Sequence, residues 1–413
     1  MTTDTPLRTD QRVRQFWTYW AASTTSGLGS AVTAVALPLT AVLVLHASTF
    51  EMGLLAAAAY VAWLVIGLPA GAIVRQLPLR GTQITTDLLR AAAIATVPLA
   101  WWLDVLTIGQ LLGVALVISF ADVLFFVANA TFLPQVVARE DLQARNSLMS
   151  GTHAATQLGG PSLGGVLVQL LGAAPALFVD AASYLGSAAL LGRLPAREQP
   201  REDRPQPMRD QIREGWRFVV RHPVMNPCMW DATATNFVCG AQLALFAVYL
   251  VRVLDAPAGL VGVLLAAEGI GSLAGAAACP AIVRRIGSAR ACLAGSAVSV
   301  VGAFLIPVGT GWPAYVAFAL GNIVFAGGVV VLSTTTRTYR QIATPPELLS
   351  RVLATVRFVS WGAIPVGGVL AGALGAWLGA REALFVFAAV SVLSPLVLWL
   401  SPIRSLRDFP DAV

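Results

Sequence analysis

The sequence predicts an all-α membrane protein of twelve transmembrane helices arranged as two pseudo-symmetric six-helix bundles. Three observations lead there. Of 413 residues, 57% are hydrophobic and only 12% charged, too apolar for a soluble domain around one core. Apolar runs of bilayer-crossing length, roughly 20 residues each, recur along the whole chain. The second half of the chain also repeats the first.

The runs read as spans at about 16–45, 51–74, 82–103, 107–133, 149–171, 175–192, 226–251, 257–280, 288–308, 313–335, 353–377 and 382–400. The first follows Arg8, Arg12 and Arg14, is about 30 residues long and lacks a small-residue cleavage site, so it reads as a retained helix and not a signal peptide. Spans three and four carry Asp87, Arg90 and Asp122. Span five holds "GTHAATQLGGPSLGG", residues 151–165, an unusual density of helix-weakening residues. Residues 193–223, rich in Arg, acids and Pro, read as a cytoplasmic linker whose first part is disordered and whose end, from Met208 to Val220, forms a short surface helix. The expected division is therefore an N-terminal bundle over 1–192, the linker over 193–223 and a C-terminal bundle over 224–413.

Spans four to six recur as spans ten to twelve at an offset of 203 to 207 residues. Gln135 matches Gln341, Leu142 matches Leu348, Arg145 matches Arg351, and Gly164-Gly165-Val166-Leu167 matches Gly367-Gly368-Val369-Leu370. Such a repeat implies two halves of parallel orientation about an axis along the membrane normal, with a binding site between them near the midplane.

All 27 basic residues are arginines. With the N-terminus inside, Arg90 and Arg357 fall within spans, Arg252 and Arg381 outside, and every other Arg on the cytoplasmic side. The formal charge of +6 then follows from topology and anionic inner-leaflet lipid, and a nucleic-acid partner is not expected. Four cysteines without CxxC spacing and three scattered histidines (His46, His153, His222) offer neither a disulfide framework nor a metal site. No H-E-x-x-H, G-x-S-x-G or Walker A pattern is present, so neither an enzyme, a cofactor nor intrinsic ATP drive is expected.

Ionisable groups inside spans are costly and therefore candidates for function. Asp122 and Glu268, near the middle of spans four and eight, stand out as groups able to bind and release a proton, with a structural role open for each. Arg357 reads as a partner for a carboxylate and His153 as either titratable or packed. Asn129, Asn236 and Gln242, with Trp63, Tyr249 and Trp361, are candidates to line an amphipathic cavity. Asp180 and Asp231 are expected at helix ends near water.

The motifs "ALPLTAVLV", "GLPAGAIVRQLPLRGTQITTDLLRA", "GGPSLGG" and "RQIATPPELLSRVLATVRFVSWGAIPVGGVLAGALGAWLGAR" resemble the major facilitator superfamily of secondary transporters. Within it they are most similar to the branch of bacterial exporters holding enterobactin exporters, macrolide efflux proteins and Tap-like multidrug pumps. The resemblance implies a monomeric, multi-pass protein of a bacterial inner membrane with both termini cytoplasmic. Its implied activity is alternating-access export of small amphipathic organic molecules such as antibiotics, by proton antiport. Proton-independent exchange or uptake is the alternative.

The glycine motif, Gly151 followed by Gly160, Pro161, Gly164 and Gly165, is similar to the superfamily's antiporter signature. Gly160 and Gly164 offer a flat face for close helix approach, and Pro161 weakens one level of the helix. Two positions depart from the family. Arg75 stands where a gate aspartate is usual, leaving Asp87 and Arg90, three residues apart on one helix face, to pair with each other or with Arg75 in a rearranged ion-pair gate. Ser30 stands where many relatives have an aspartate suited to ion coupling.

Overall fold

The computed structural model describes residues 6–137, 141–195 and 208–410. The first part of the expected disordered linker lies outside them, as does the side chain of Arg75. The N-terminal half contains α1 (Pro6–Leu39), α2 (Thr49–Ile66), α3 (Ala70–Arg75), α4 (Leu79–Trp102), α5 (Ile108–Val136), α6 (Leu142–Leu171) and α7 (Ala173–Gly192). After α8 (Met208–Arg221), the C-terminal half contains α9 (Met225–Val248), α10 (Ala258–Ile286), α11 (Ser288–Leu305), α12 (Trp312–Ala343), α13 (Pro346–Leu378), α14 (Ala380–Ser391) and α15 (Leu393–Trp399). Among the described residues, ten helical stretches are long and apolar enough to cross a membrane by length and composition. With α4 and α6, which carry the charged and glycine-rich motifs, they make the twelve spans.

Prolines correct two expected spans. The second is not continuous to 74, because the helix stops at Ile66 and resumes as α3 only after Pro69. The twelfth divides into α14 and α15, since Pro395 can neither donate to the Ser391 carbonyl nor avoid its bulk. Several spans also run past the apolar segment. Helix α6 begins at Leu142 and α13 at Pro346, seven residues earlier than hydropathy suggests, so polar turns project beyond the apolar slab at the end that carries the linker.

The repeat is visible as geometry. Both α1 and α9 end in a π-helical turn, Thr40–Val44 and Tyr249–Val253. Each is followed by a residue at positive φ, His46 at 51° and Asp255 at 54°. The backbone bonds correspond too: Leu45 N–H to Thr40 O and Ala47 N–H to Ala41 O in one half, Leu254 N–H to Tyr249 O and Ala256 N–H to Leu250 O in the other. Gly172 and Gly379, at φ 93° and 101°, turn α6 into α7 and α13 into α14, a left-handed conformation that only glycine adopts without strain.

Packing differs between the two ends of the molecule. At the end away from the linker, one apolar cluster runs through both halves, joining Val35, Leu39, Met52 and Leu55 to Leu245, Tyr249, Val261 and Ala371. At the linker end the cores are separate. Phe16, Tyr19, Phe132 and Leu191 belong to a cluster confined to the first half, while Met225, Leu332, Val352 and Leu398 belong to one confined to the second.

The glycine motif makes the far end possible. A Cβ on Gly164 would press on Val32 and Val35 of α1, within its own half, whereas one on Gly165 would lie 2.7 Å from Gly262 Cα of α10, across the halves. Their repeat partners behave alike. Gly367 abuts the Phe237 carbonyl of α9 in its own half, and Gly368 faces Gly53 and Ala56 of α2 across the halves. Gly53 itself leaves no room for a Cβ, which would sit 2.6 Å from the Gly368 oxygen and 2.8 Å from Gly372 Cα. Two glycine seams, α6 against α10 and α2 against α13, thus bring backbone onto backbone, where side chains would hold the helices apart. Gly160 meets Ala31 of α1 and Pro161 offers its carbonyl toward Gly262. Gly151 has nothing within 4 Å and takes no part in the close approach.

Candidate functional site

Midway along the helices, α4 aims Arg90 into the first half, where it is 3% exposed. Its guanidinium donates to Asp87, one turn away on the same helix, and to Asp122 Oδ1 of α5 at 2.6 Å. The rings of Phe125 and Tyr184 cover it, with centroids 4.2 and 4.4 Å from Cζ. Asp87 is fully buried and also accepts from Ser26 Oγ at 3.5 Å, while its Oδ2 accepts no hydrogen bond among the described residues. Asp122 instead keeps 44% of its side chain exposed, so the cluster reaches the accessible surface through this residue. One cation thus serves two carboxylates. If both are ionised the triad carries one net negative charge, and a single proton neutralises it.

Asp180 of α7 adds a third carboxylate nearby. It accepts from Thr33 Oγ1 and, at 3.0 Å, from Ser183 Oγ. Ser30, at the position where relatives have an aspartate, bonds Tyr184 Oη at 3.0 Å and so joins the same network without a charge of its own. Asp180 and Asp231 are not near water: both are 0% exposed. Asp231 is enclosed by Ser296 Oγ at 2.8 Å and by Ser394 Oγ. Hydroxyls from neighbouring helices, which hydropathy does not register, make this burial tolerable.

A second cluster is assembled from both halves. The Arg357 guanidinium of α13 lies over Trp63 of α2, Phe126 of α5 and Trp361 of α13, at 4.6, 4.4 and 4.4 Å from the ring centroids. Trp63 meets Phe126 at 5.6 Å and Trp361 at 4.9 Å, both edge to face. Tyr60 packs on Trp361 at 6.5 Å. Arg357 was expected to pair with a carboxylate, yet among the described residues it has no ion pair and no hydrogen bond; aromatic faces hold it instead. Tyr60 lies within electrostatic reach of Asp122 of the first half and of Glu268 and Cys239 of the second. Glu268 is exposed and unpaired among the described residues.

The remaining candidates separate by position. Asn129 donates from Nδ2 to Ser23 Oγ at 2.8 Å and lends its carbonyl to Tyr19, tying α5 to α1. Asn236 is half-buried without a hydrogen bond among the described residues, and His153 is exposed. Gln242 is buried, and Tyr249 is fully buried against Phe318 at the far end, away from the space between the halves. Among the described residues no group of three or more His, Cys, Asp or Glu could hold a metal ion. The box around Arg357 was only partly legible: Trp63 and Trp361 were candidates, but Phe126 and Tyr60 were not, and only their facing positions reveal them.

Residues 2–410 match the family described as transmembrane secretion effector. A multidrug efflux pump Tap from Mycolicibacterium fortuitum is 30% identical over 370 residues, covering 86% of this chain and 87% of that protein. The Tap pump of Mycobacterium tuberculosis strain H37Rv is 27% identical over 411 residues, 95% and 94% of the two chains. Among solved structures, nucleoside transporter NupG superposes with a TM-score of 0.74 at 12% identity over 95% of this chain and 99% of that one. A bacterial homologue of the iron transporter ferroportin gives 0.72 at 15% identity over 94% and 98%. The protein is a multi-pass membrane transporter, and its chain belongs to the transmembrane secretion effector family of the major facilitator superfamily.

Proposed function

We propose that the protein is a secondary active exporter that moves small amphipathic organic molecules out of a bacterial cytoplasm by alternating access, in exchange for protons. The linker end, where nearly all the arginines gather, is then the cytoplasmic face, with both termini there. One observation carries the reading: the halves are sealed on each other by glycine seams at the far end while their cores stay separate at the linker end. That is the arrangement of a carrier loaded from the cytoplasm, and rocking about the mid-level would exchange the seal from one end to the other.

The proton has two candidate seats. Asp122 shares Arg90 with Asp87, so one proton on the triad removes its net charge without breaking the buried pair. Glu268, on α10 of the second half, is exposed and has no counter-ion among the described residues. Arg252, which donates from Nη2 to the Ala47 carbonyl at 2.6 Å, ties the two halves at the far end and must release when that end opens.

The test is extrusion of a panel of dyes and antibiotics from cells expressing the protein, with and without a protonophore. Unchanged extrusion after collapse of the proton gradient rejects proton antiport. Glu268→Gln and Asp122→Asn, each checked for a monodisperse, folded product, are expected to abolish the pH dependence at whichever seat carries the proton. Wild-type pH dependence in both variants moves the coupling site elsewhere.

A further inference from the structure

The box around Arg357 is unusual in what it leaves unmet. Its three rings stabilise a cation through their π faces. A guanidinium also carries five N–H donors along its edge, and among the described residues none of those of Arg357 finds an acceptor. The charged group that acts on it is Arg337 of α12, another cation, exposed and unpaired among the described residues. The carboxylates that could have neutralised it are engaged or unlinked: Asp122 is held by Arg90, and neither Asp122 nor Glu268 forms an ion pair with Arg357. The wall contributed by the second half thus presents positive charge and a planar donor fork, flanked by flat apolar surfaces.

We infer that the Trp63, Phe126, Trp361 and Arg357 box recognises an organic anion with a planar aromatic body, its carboxylate or similar oxyanion on the Arg357 fork and its ring among the aromatic walls. The inference rests on the exporter reading for the direction of movement and not for binding itself. A planar oxyanion matches the guanidinium edge with two parallel charge-assisted hydrogen bonds. The anion also compensates a charge that π faces alone now hold. Because Trp63 and Phe126 come from the first half and Arg357 and Trp361 from the second, a bound ligand touches both moving bodies. Recognition and rocking are thereby joined at one place.

The experiment compares three probes of equal shape, 2-naphthoate, 2-naphthamide and 2-naphthylmethylammonium, binding to the full-length purified protein. The readouts are quenching of tryptophan fluorescence and equilibrium dialysis. Wild-type protein is expected to bind the anion at least tenfold more tightly than the amide, and the cation more weakly still. Arg357→Gln removes the gap between anion and amide, while Arg357→Lys restores only part of it, since an ammonium keeps the charge but not the planar fork. Trp361→Ala weakens all the probes together. Equal wild-type affinity for anion and amide, a preference for the cation, or a gap that survives Arg357→Gln each overturns the inference. The wild-type comparison needs no variant to fold. Loss of gradient-driven extrusion alongside an intact anion preference would sink the exporter reading and leave this one standing.

Discussion

Gly165→Ala tests the far-end seal directly. The added Cβ would stand 2.7 Å from Gly262 Cα and 3.0 Å from the Ala258 carbonyl, both backbone atoms that cannot rotate away, against the 3.4–4 Å of ordinary contact. Helices α6 and α10 must therefore part by roughly 1 Å, and overpacking of this kind costs about 1–3 kcal/mol. Alanine also favours the helix by about 1 kcal/mol over glycine, but that gain is the same whichever way the carrier faces and drops out of the balance between states. The expected result is a shift of about 5- to 150-fold away from the far-end-closed conformation. It would be read by pulsed spin-label distances between Val105 and Val308, exposed near the far ends of α4 and α11, in a background without the four native cysteines. A broadened, longer distance with impaired extrusion is expected, and Gly53→Ala at the partner seam should act alike. Gly151→Ala, in the same motif but with open space around it, should leave both readouts unchanged. An unaltered distance distribution together with wild-type extrusion in Gly165→Ala would refute the seam as the closing surface.

Three further outcomes can be checked. Arg90→Met leaves Asp87 buried without its cation, a loss of about 3–5 kcal/mol, so folded yield in detergent should collapse and recover in Asp87→Asn/Arg90→Met. His222, between α8 and α9, accepts from the Val224 and Met225 N–H groups through Nδ1, at 3.2 Å each, and its partial burial holds its pKa below the ordinary imidazole value. The fold thus favours the neutral ring: this contribution is complete above about pH 6.5 and is lost as pH falls toward the lowered value, so melting temperature should decline on acidification below neutrality and His222→Ala should flatten that slope. Ser48 and Glu51 form a capping box at the start of α2, with Ser48 N–H to Glu51 Oε2 at 2.7 Å, so Ser48→Ala should cost about 1 kcal/mol of local stability, seen as faster amide exchange in the first turn of α2.

Hydropathy made the spans legible because lipid imposes a length on every crossing helix, and the sequence repeat made the two halves legible because equivalent glycines serve equivalent turns and seams. Polar pairing inside the bundles was not. Asp87 and Arg90 lie three residues apart, so their pairing can be read from one helix, whereas Asp122 is 32 residues away on another helix and meets Arg90 only after packing. Asp180 and Asp231 seemed wet because a count from the apolar boundary places them early in their spans. The hydroxyls of Thr33, Ser296 and Ser394 that receive them come from helices remote in sequence. For the same reason the aromatic box escaped full recognition: Phe126 is unremarkable in an apolar run until α13 brings Arg357 against it.

The proposed export of an anion against inward protons has an electrical consequence that cations would not share. An anion leaving and a proton entering both move positive charge inward, so one-for-one exchange carries two charges per cycle, and a potential of 100 mV, negative inside, contributes about 2.3 kcal/mol for each. The local field alone would favour anion and proton binding together, which is co-transport, so exchange requires that geometry keep them apart. In that scheme helix α5 links the two sites: Asp122, the proposed proton seat, and Phe126, a wall of the box, are one turn apart on it. In proteoliposomes with potentials clamped by potassium and valinomycin, efflux of a transported aromatic acid should accelerate steeply with an interior-negative potential, and reversal-potential measurement should give two charges per anion. Potential-independent efflux, or a proton and an anion moving the same way, would show that the two sites load together and that the exchange scheme is wrong.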